Sequence, residues 1–187
     1  MLRQRWNLVL AAAAAAAALT GCTAGTVSGQ AKPEIRDLDK IIVFNPCRGD
    51  LSDAALRSAG LDPATMNITT DAPTGVSTWR VCNWKPLDPR QHGTARLAVG
   101  LFSTSHTLYE LRKKDGVAIL GVTRVNKRQD LISKQLFDME SCYVSFDAIQ
   151  GMFEVHVGWL SDEGTRIGDS CEHAQHFAEA LEPHLPK

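Results

Sequence analysis

Near the end of the chain, apolar residues return at helical intervals. Cys171, Ala174, Phe177, Ala178 and Leu181 fall on one side of a helix, while Glu172, Gln175, His176, Glu179 and Glu182 take the other. Asp169 or Ser170 supplies the N-cap, and Pro183 ends the run. Upstream the period changes to two. Phe153, Val155, Val157 and Trp159 alternate with Glu154, His156 and Gly158, which predicts a strand buried on one face. Cys142 to Phe146 pairs with it as a hairpin turning around Asp147 to Gln150. Leu97, Val99 and Leu101 mark a second strand over Ala95 to Phe102. Trp79 to Trp84 and Val117 to Val125 also read as strands. Thr107 to Lys114 is a short helix. Leu51 to Ala59 is another, capped by Asp50 or Ser52 and ended by Gly60. Asp62 to Thr78, with Pro63, Pro73 and Gly75, reads as irregular. The expected fold class is α+β: a mostly antiparallel sheet with helices packed on one face.

The N-terminus follows a different pattern. Arg3 and Arg5 precede an apolar run from Trp6 to Leu19 that contains eight consecutive alanines. Leu19-Thr20-Gly21-Cys22 closes it. This order matches a bacterial lipoprotein signal over residues 1–21, with lipid attached at Cys22. The run is shorter than the ~20 residues a spanning helix needs. An ordinary signal peptide cut within the alanines is the competing reading, but it gives Cys22 no role. Residues 22–37 are small and polar and read as a flexible spacer. One globular domain is expected over residues 38–187.

The whole chain carries 20 basic and 21 acidic residues. Cleavage before Cys22 removes Arg3 and Arg5 and no acid, so the charge moves from −1 to −3, which argues against nucleic acid as a partner. Charge is uneven along the chain. Residues 101–137 hold seven basic residues against Glu110, Asp115 and Asp130, whereas residues 138–187 hold ten acids and two basic residues. Solvated faces are the plain explanation, and two surface patches are the sharper one.

With Cys22 lipidated, four cysteines remain: Cys47, Cys82, Cys142 and Cys171. Export places them in an oxidising compartment, where two disulfides are expected. Three pairings exist. Cys47–Cys82 and Cys142–Cys171 are favoured because each joins neighbouring elements through a modest loop. No Cys-x-x-Cys spacing supports zinc, and no metal or cofactor is expected.

No Gly-x-Ser-x-Gly elbow, His-Glu-x-x-His helix or phosphate-binding glycine loop occurs. Ser103-Thr104-Ser105-His106 sets hydroxyls beside an imidazole, but neighbours on a strand point apart. His173 and His176 lie toward the polar side of the last helix and Cys171 toward the apolar side, which strains any shared metal shell. His156, beside Glu154, reads as an outward-facing residue titrating near pH ~6.5. No catalytic residue is assigned. Trp79, Trp84, Phe102 and Trp159 read as core; on an uncovered sheet face they become an apolar ligand surface.

Several motifs occur in order: Pro46-Cys47 before a helix ending in Gly60-Leu61, Cys82-x-Trp84, Cys142-Tyr143-Val144, and Asp169-x-Cys171 followed by Leu185-Pro186. Together with Leu19 to Cys22, this series resembles a family of actinobacterial, mycobacterial-type secreted lipoproteins built on a cysteine-containing domain of unknown function. The resemblance covers about residues 41–186 and supplies no catalytic residues. It implies an envelope lipoprotein on the extracytoplasmic face of the cell membrane that binds or regulates. Its expected partners are the membrane, through Cys22, and an apolar ligand or a membrane protein. A hydrolase with a site assembled from distant residues and a purely structural envelope protein are the alternatives.

Overall fold

In the computed structural model, residues 36–71, 79–93, 96–160 and 164–187 are described. The leader, Cys22 and most of the expected spacer lie outside them, as does part of the Asp62 to Thr78 stretch.

The elements run α1 (Asp53–Ser58), β1 (Leu61–Asp71), β2 (Trp79–Pro86), β3 (Leu97–Thr104), α2 (Leu108–Leu111), β4 (Val117–Val125), β5 (Arg128–Gln135), β6 (Asp138–Ala148), β7 (Gly151–Trp159) and α3 (Ser170–Leu181). The strands form one seven-stranded sheet in the order β1-β2-β3-β7-β6-β5-β4. Each of these pairings is antiparallel. Two meanders, β1 to β3 and β4 to β7, meet where β3 pairs with β7.

Register fixes two faces. Val99, Val157 and Cys142 lie in one row, Leu101, Val155 and Val144 in the next, and Phe153 opposes Phe146. These residues and Trp84 build the main core with Ala174, Phe177, Ala178 and Leu181 of α3 and Leu56 of α1. Burial of this face supplies most of the driving force, at roughly 25 cal/mol per Å² of apolar surface. Ser52 Oγ accepts the Ala55 N–H at 3.2 Å to start α1, and Asp169 Oδ1 accepts the Cys171 N–H at 2.7 Å to start α3.

The expectation that the helices share one face needs correcting. Leu108 and Leu111 of α2 pack with Leu131 and Met152, whose alternation points them away from the main core. α2 therefore covers part of the opposite face.

Two further expectations change. Leu61 to Asp71 is an edge strand rather than irregular chain. Its β-branched residues pair with β2, and two register shifts absorb the irregular part. Pro63 is tolerated because an edge strand has one unpaired side. Glu182, expected on the polar side of the last helix, is buried in the 3-10 turn Glu182–His184 that follows α3.

Two disulfides staple the domain. Cys47 joins Cys82, fixing the segment before α1 to β2, with Cα atoms 5.6 Å apart. Cys142 joins Cys171, fixing the start of α3 to β6, with Cα atoms 5.0 Å apart.

Candidate functional site

On the face opposite α3, the first residue of β2, the α2 segment and the start of β7 enclose a cleft of about 430 Å³. Trp79, His106, Glu110, Leu111, Lys114 and Met152 line it. Leu108, Leu111, Leu131 and Met152 make an apolar floor, with Trp79, Val117 and Ile119 packed against it.

Local chemistry holds α2 in place. Thr107 Oγ1 accepts the Glu110 N–H at 3.3 Å, and Glu110 Oε2 accepts the Thr107 N–H at 2.7 Å, a capping box. Partial burial pushes the Glu110 carboxyl up, but the Thr107 donors outweigh it and hold the group below its ordinary range. The carboxylate also lies 3.6 Å from His106 Nδ1. Its charge is therefore engaged locally. Lys114 Nζ stands 5.8 Å from the centre of the Trp79 ring and contributes a cation at the mouth.

A band of rings continues from the cleft. Trp79 meets His106 at 5.6 Å and Phe102 edge-on at 6.1 Å. Phe102 meets Tyr143 at 6.1 Å and His156 at 6.0 Å, and the last two lie 4.6 Å apart. Beside them Glu154 is buried, and Ser145 Oγ donates to its Oε2 at 2.8 Å. Burial pushes the Glu154 carboxyl up, against the opposing effects of the Ser145 bond and the Lys114 charge. Burial pushes His156 down to about 4, partly offset by Asp138. Burial pushes Tyr143 up to about 12, helped by Glu154 and Asp138. His156 and Tyr143 are thus neutral at pH 7. The outward, titrating His156 expected from alternation is corrected: period two puts it on the face away from the main core, but the rings of Phe102 and Tyr143 pack against it there.

The four aromatic residues of the expected ligand surface divide. Trp79 and Phe102 join the cleft face. Trp84 is fully buried in the main core, and Trp159 packs against that core with His173 and Arg166 beside its ring. Trp79 and Trp84 are five apart on one strand, so they project to opposite faces. Lys114, Glu110, Met152 and Glu154 were not singled out by the sequence pattern. Of the cleft lining, Trp79 and His106 were the residues the sequence had brought forward.

The other polar groupings resolve differently. Thr104 Oγ1 accepts the His106 N–H at 3.1 Å, and Ser103 and Ser105 are buried. Cys171 is held in its disulfide, and His173 Nε2 lies 2.6 Å from the Ile167 carbonyl oxygen. Among the described residues, no three His, Cys, Asp or Glu side chains converge on a metal position, and no helix is long and apolar enough to cross a membrane.

The pattern of the family described as a protein of unknown function, DUF3558, matches residues 17–184. The chain belongs to this family. The match spans both the cleft and the two disulfides. No curated protein and no solved structure matches the chain.

Proposed function

We propose that this member of the family is an actinobacterial-type envelope lipoprotein. Cys22 carries the lipid on the extracytoplasmic face of the cell membrane, and the domain is a non-enzymatic binding module for a small amphipathic ligand. The cleft carries the binding reading. Its volume of about 430 Å³ falls within the range of small-molecule sites, and its lining joins an apolar floor to the ammonium group of Lys114. That combination fits an apolar chain or ring ending in an anionic group. The signal pattern Leu19 to Cys22 supports the anchor, and the two disulfides suit an oxidising compartment.

Two measurements test this reading. Mass spectrometry of the mature protein is expected to find a lipid-modified Cys22 at the N-terminus; an unmodified or different terminus removes the anchor. Calorimetric titration with laurate is expected to show saturable binding. Lys114→Glu weakens it at least about tenfold by reversing the charge at the mouth. Absence of binding, or equal binding by the variant, removes the cleft as the site.

A further inference from the structure

The point where the chain enters the described domain lies beside the cleft. Arg36 donates from Nη1 to the Ser105 carbonyl at 2.7 Å and from Nη2 to the Gln150 carbonyl at 2.6 Å. Ser105 leads directly into α2, and Gln150 lies in the turn between β6 and β7. The two segments touch: a Cβ added at Gly151 would sit 2.5 Å from the Ser105 carbonyl carbon. Arg36 thus pins the incoming chain to the end of the sheet that carries α2.

The same end exposes apolar and basic groups together. Leu108 and Leu111 face inward, so Tyr109, Arg112 and Lys113 share the outward side of α2 and its C-terminal turn. Tyr109 is 59% exposed, and Lys113 Nζ stands 4.0 Å from the centre of its ring. Next to Gln150, Ile149 is 84% exposed. A tyrosine, an exposed isoleucine and adjacent cations are the mixture that settles at a lipid headgroup boundary.

We infer that this end of the domain, formed by Tyr109, Arg112, Lys113 and Ile149 around Arg36, docks on the surface of an anionic lipid bilayer. The inference rests on the proposed anchor at Cys22. Thirteen residues lie between Cys22 and Arg36, and a chain of that length spans at most about 50 Å when fully extended. Arg36 therefore stays within about 50 Å of the lipid anchor, and the exposed cations beside it, Arg112 and Lys113, are complementary to anionic headgroups.

The test uses the mature chain with Cys22→Ser, so that no acyl chain contributes. It is sedimented with vesicles of phosphatidylglycerol and phosphatidylcholine in equal parts, and with phosphatidylcholine alone. Binding is expected to the anionic vesicles and to weaken with added salt. The double variant Arg112→Glu, Lys113→Glu is expected to lower partitioning at least about tenfold. Tyr109→Ala with Ile149→Ser is expected to lower it severalfold. All four side chains are exposed, and an unchanged thermal midpoint confirms that the variants fold. Leu160, 52% exposed just past the C-terminal end of β7, lies at the opposite end of that strand from Gln150 and is the control. Equal binding to both vesicle types, no binding, no effect of the charge reversal, or loss on Leu160→Ser instead would overturn the proposal. These results are independent of whether Cys22 is lipidated, so a failed docking surface is distinguishable from a failed anchor.

Discussion

Arg128 Nε donates to Glu182 Oε1 at 2.7 Å, and both side chains are largely buried. Asn126 Nδ2 donates to Glu182 Oε2 at 2.8 Å, and Arg128 also reaches the Asp147 and Pro186 carbonyls at 2.9 Å. This cluster ties the β4–β5 turn, the end of β6 and the C-terminal segment together. Burial pushes the Glu182 carboxyl up, but Lys187, Asn126 and Arg128 outweigh it and hold it below its ordinary 4.5. Its contribution is therefore present above that value and lost as pH falls through the lower folded value. Glu182→Ala strands Arg128 and is expected to cost roughly 3–5 kcal/mol in urea unfolding near neutral pH, and less in acid. A cost that does not change with pH would contradict this assignment.

Asp130 has the opposite sign. It is fully buried on β5, and its Oδ1 accepts the Thr123 N–H at 2.8 Å. Burial raises it to about 6 from 3.8; the Thr123 bond opposes this and Glu179 adds to it. The neutral form is favoured in the fold. The contribution is fully present below 3.8 and is lost as pH rises through about 6. Asp130→Asn is expected to stabilise the protein near pH 7.5, on the order of 3 kcal/mol, and to change little near pH 3.5. Denaturant midpoints at the two pH values check this.

Gly151 joins the fold to the site. A Cβ there would lie 2.5 Å from the Ser105 carbonyl carbon and 2.6 Å from the His106 carbonyl oxygen. These are backbone atoms of one stretch, so no flexible side chain is there to yield. Gly151→Ala is expected to cost about 1–3 kcal/mol and to displace His106 and the α2 segment. Laurate binding is expected to fall with it, and amide exchange over Ser105 to Leu111 to quicken. Unchanged exchange there would contradict the close approach.

The Cys142–Cys171 bridge closes a separation of 29 residues and fixes the first turn of α3. In the chain-entropy account, its removal by Cys142→Ala with Cys171→Ala costs roughly 3–4 kcal/mol. Since α3 covers the face opposite the cleft, thermal stability is expected to fall while laurate affinity at low temperature stays close to that of the parent. A large loss of affinity would show that the two faces are coupled.

Much of the architecture follows from local pattern. The stripe from Cys171 to Leu181 and the alternation from Phe153 to Trp159 each define a buried side, because a helix and a strand repeat their side-chain directions at fixed periods. The odd spacing of Trp79 and Trp84 encodes opposite faces as well, which the expectation of one shared aromatic surface overlooked. The edge strand β1 was not legible, because Pro63 and a polar composition look the same in a loop and in a strand paired on one side. Alternation also could not show that the face bearing Glu154 and His156 is enclosed. That depends on rings contributed by β2, β3 and β6. The cleft was decided only in the tertiary structure. Trp79, the segment from His106 to Lys114, and Met152 lie far apart in the chain, and the pairing of β2 with β3 and of β3 with β7 brings them together. A periodic sequence specifies which way each side chain points. Which distant elements supply its neighbours is set by strand order, and no local period encodes that.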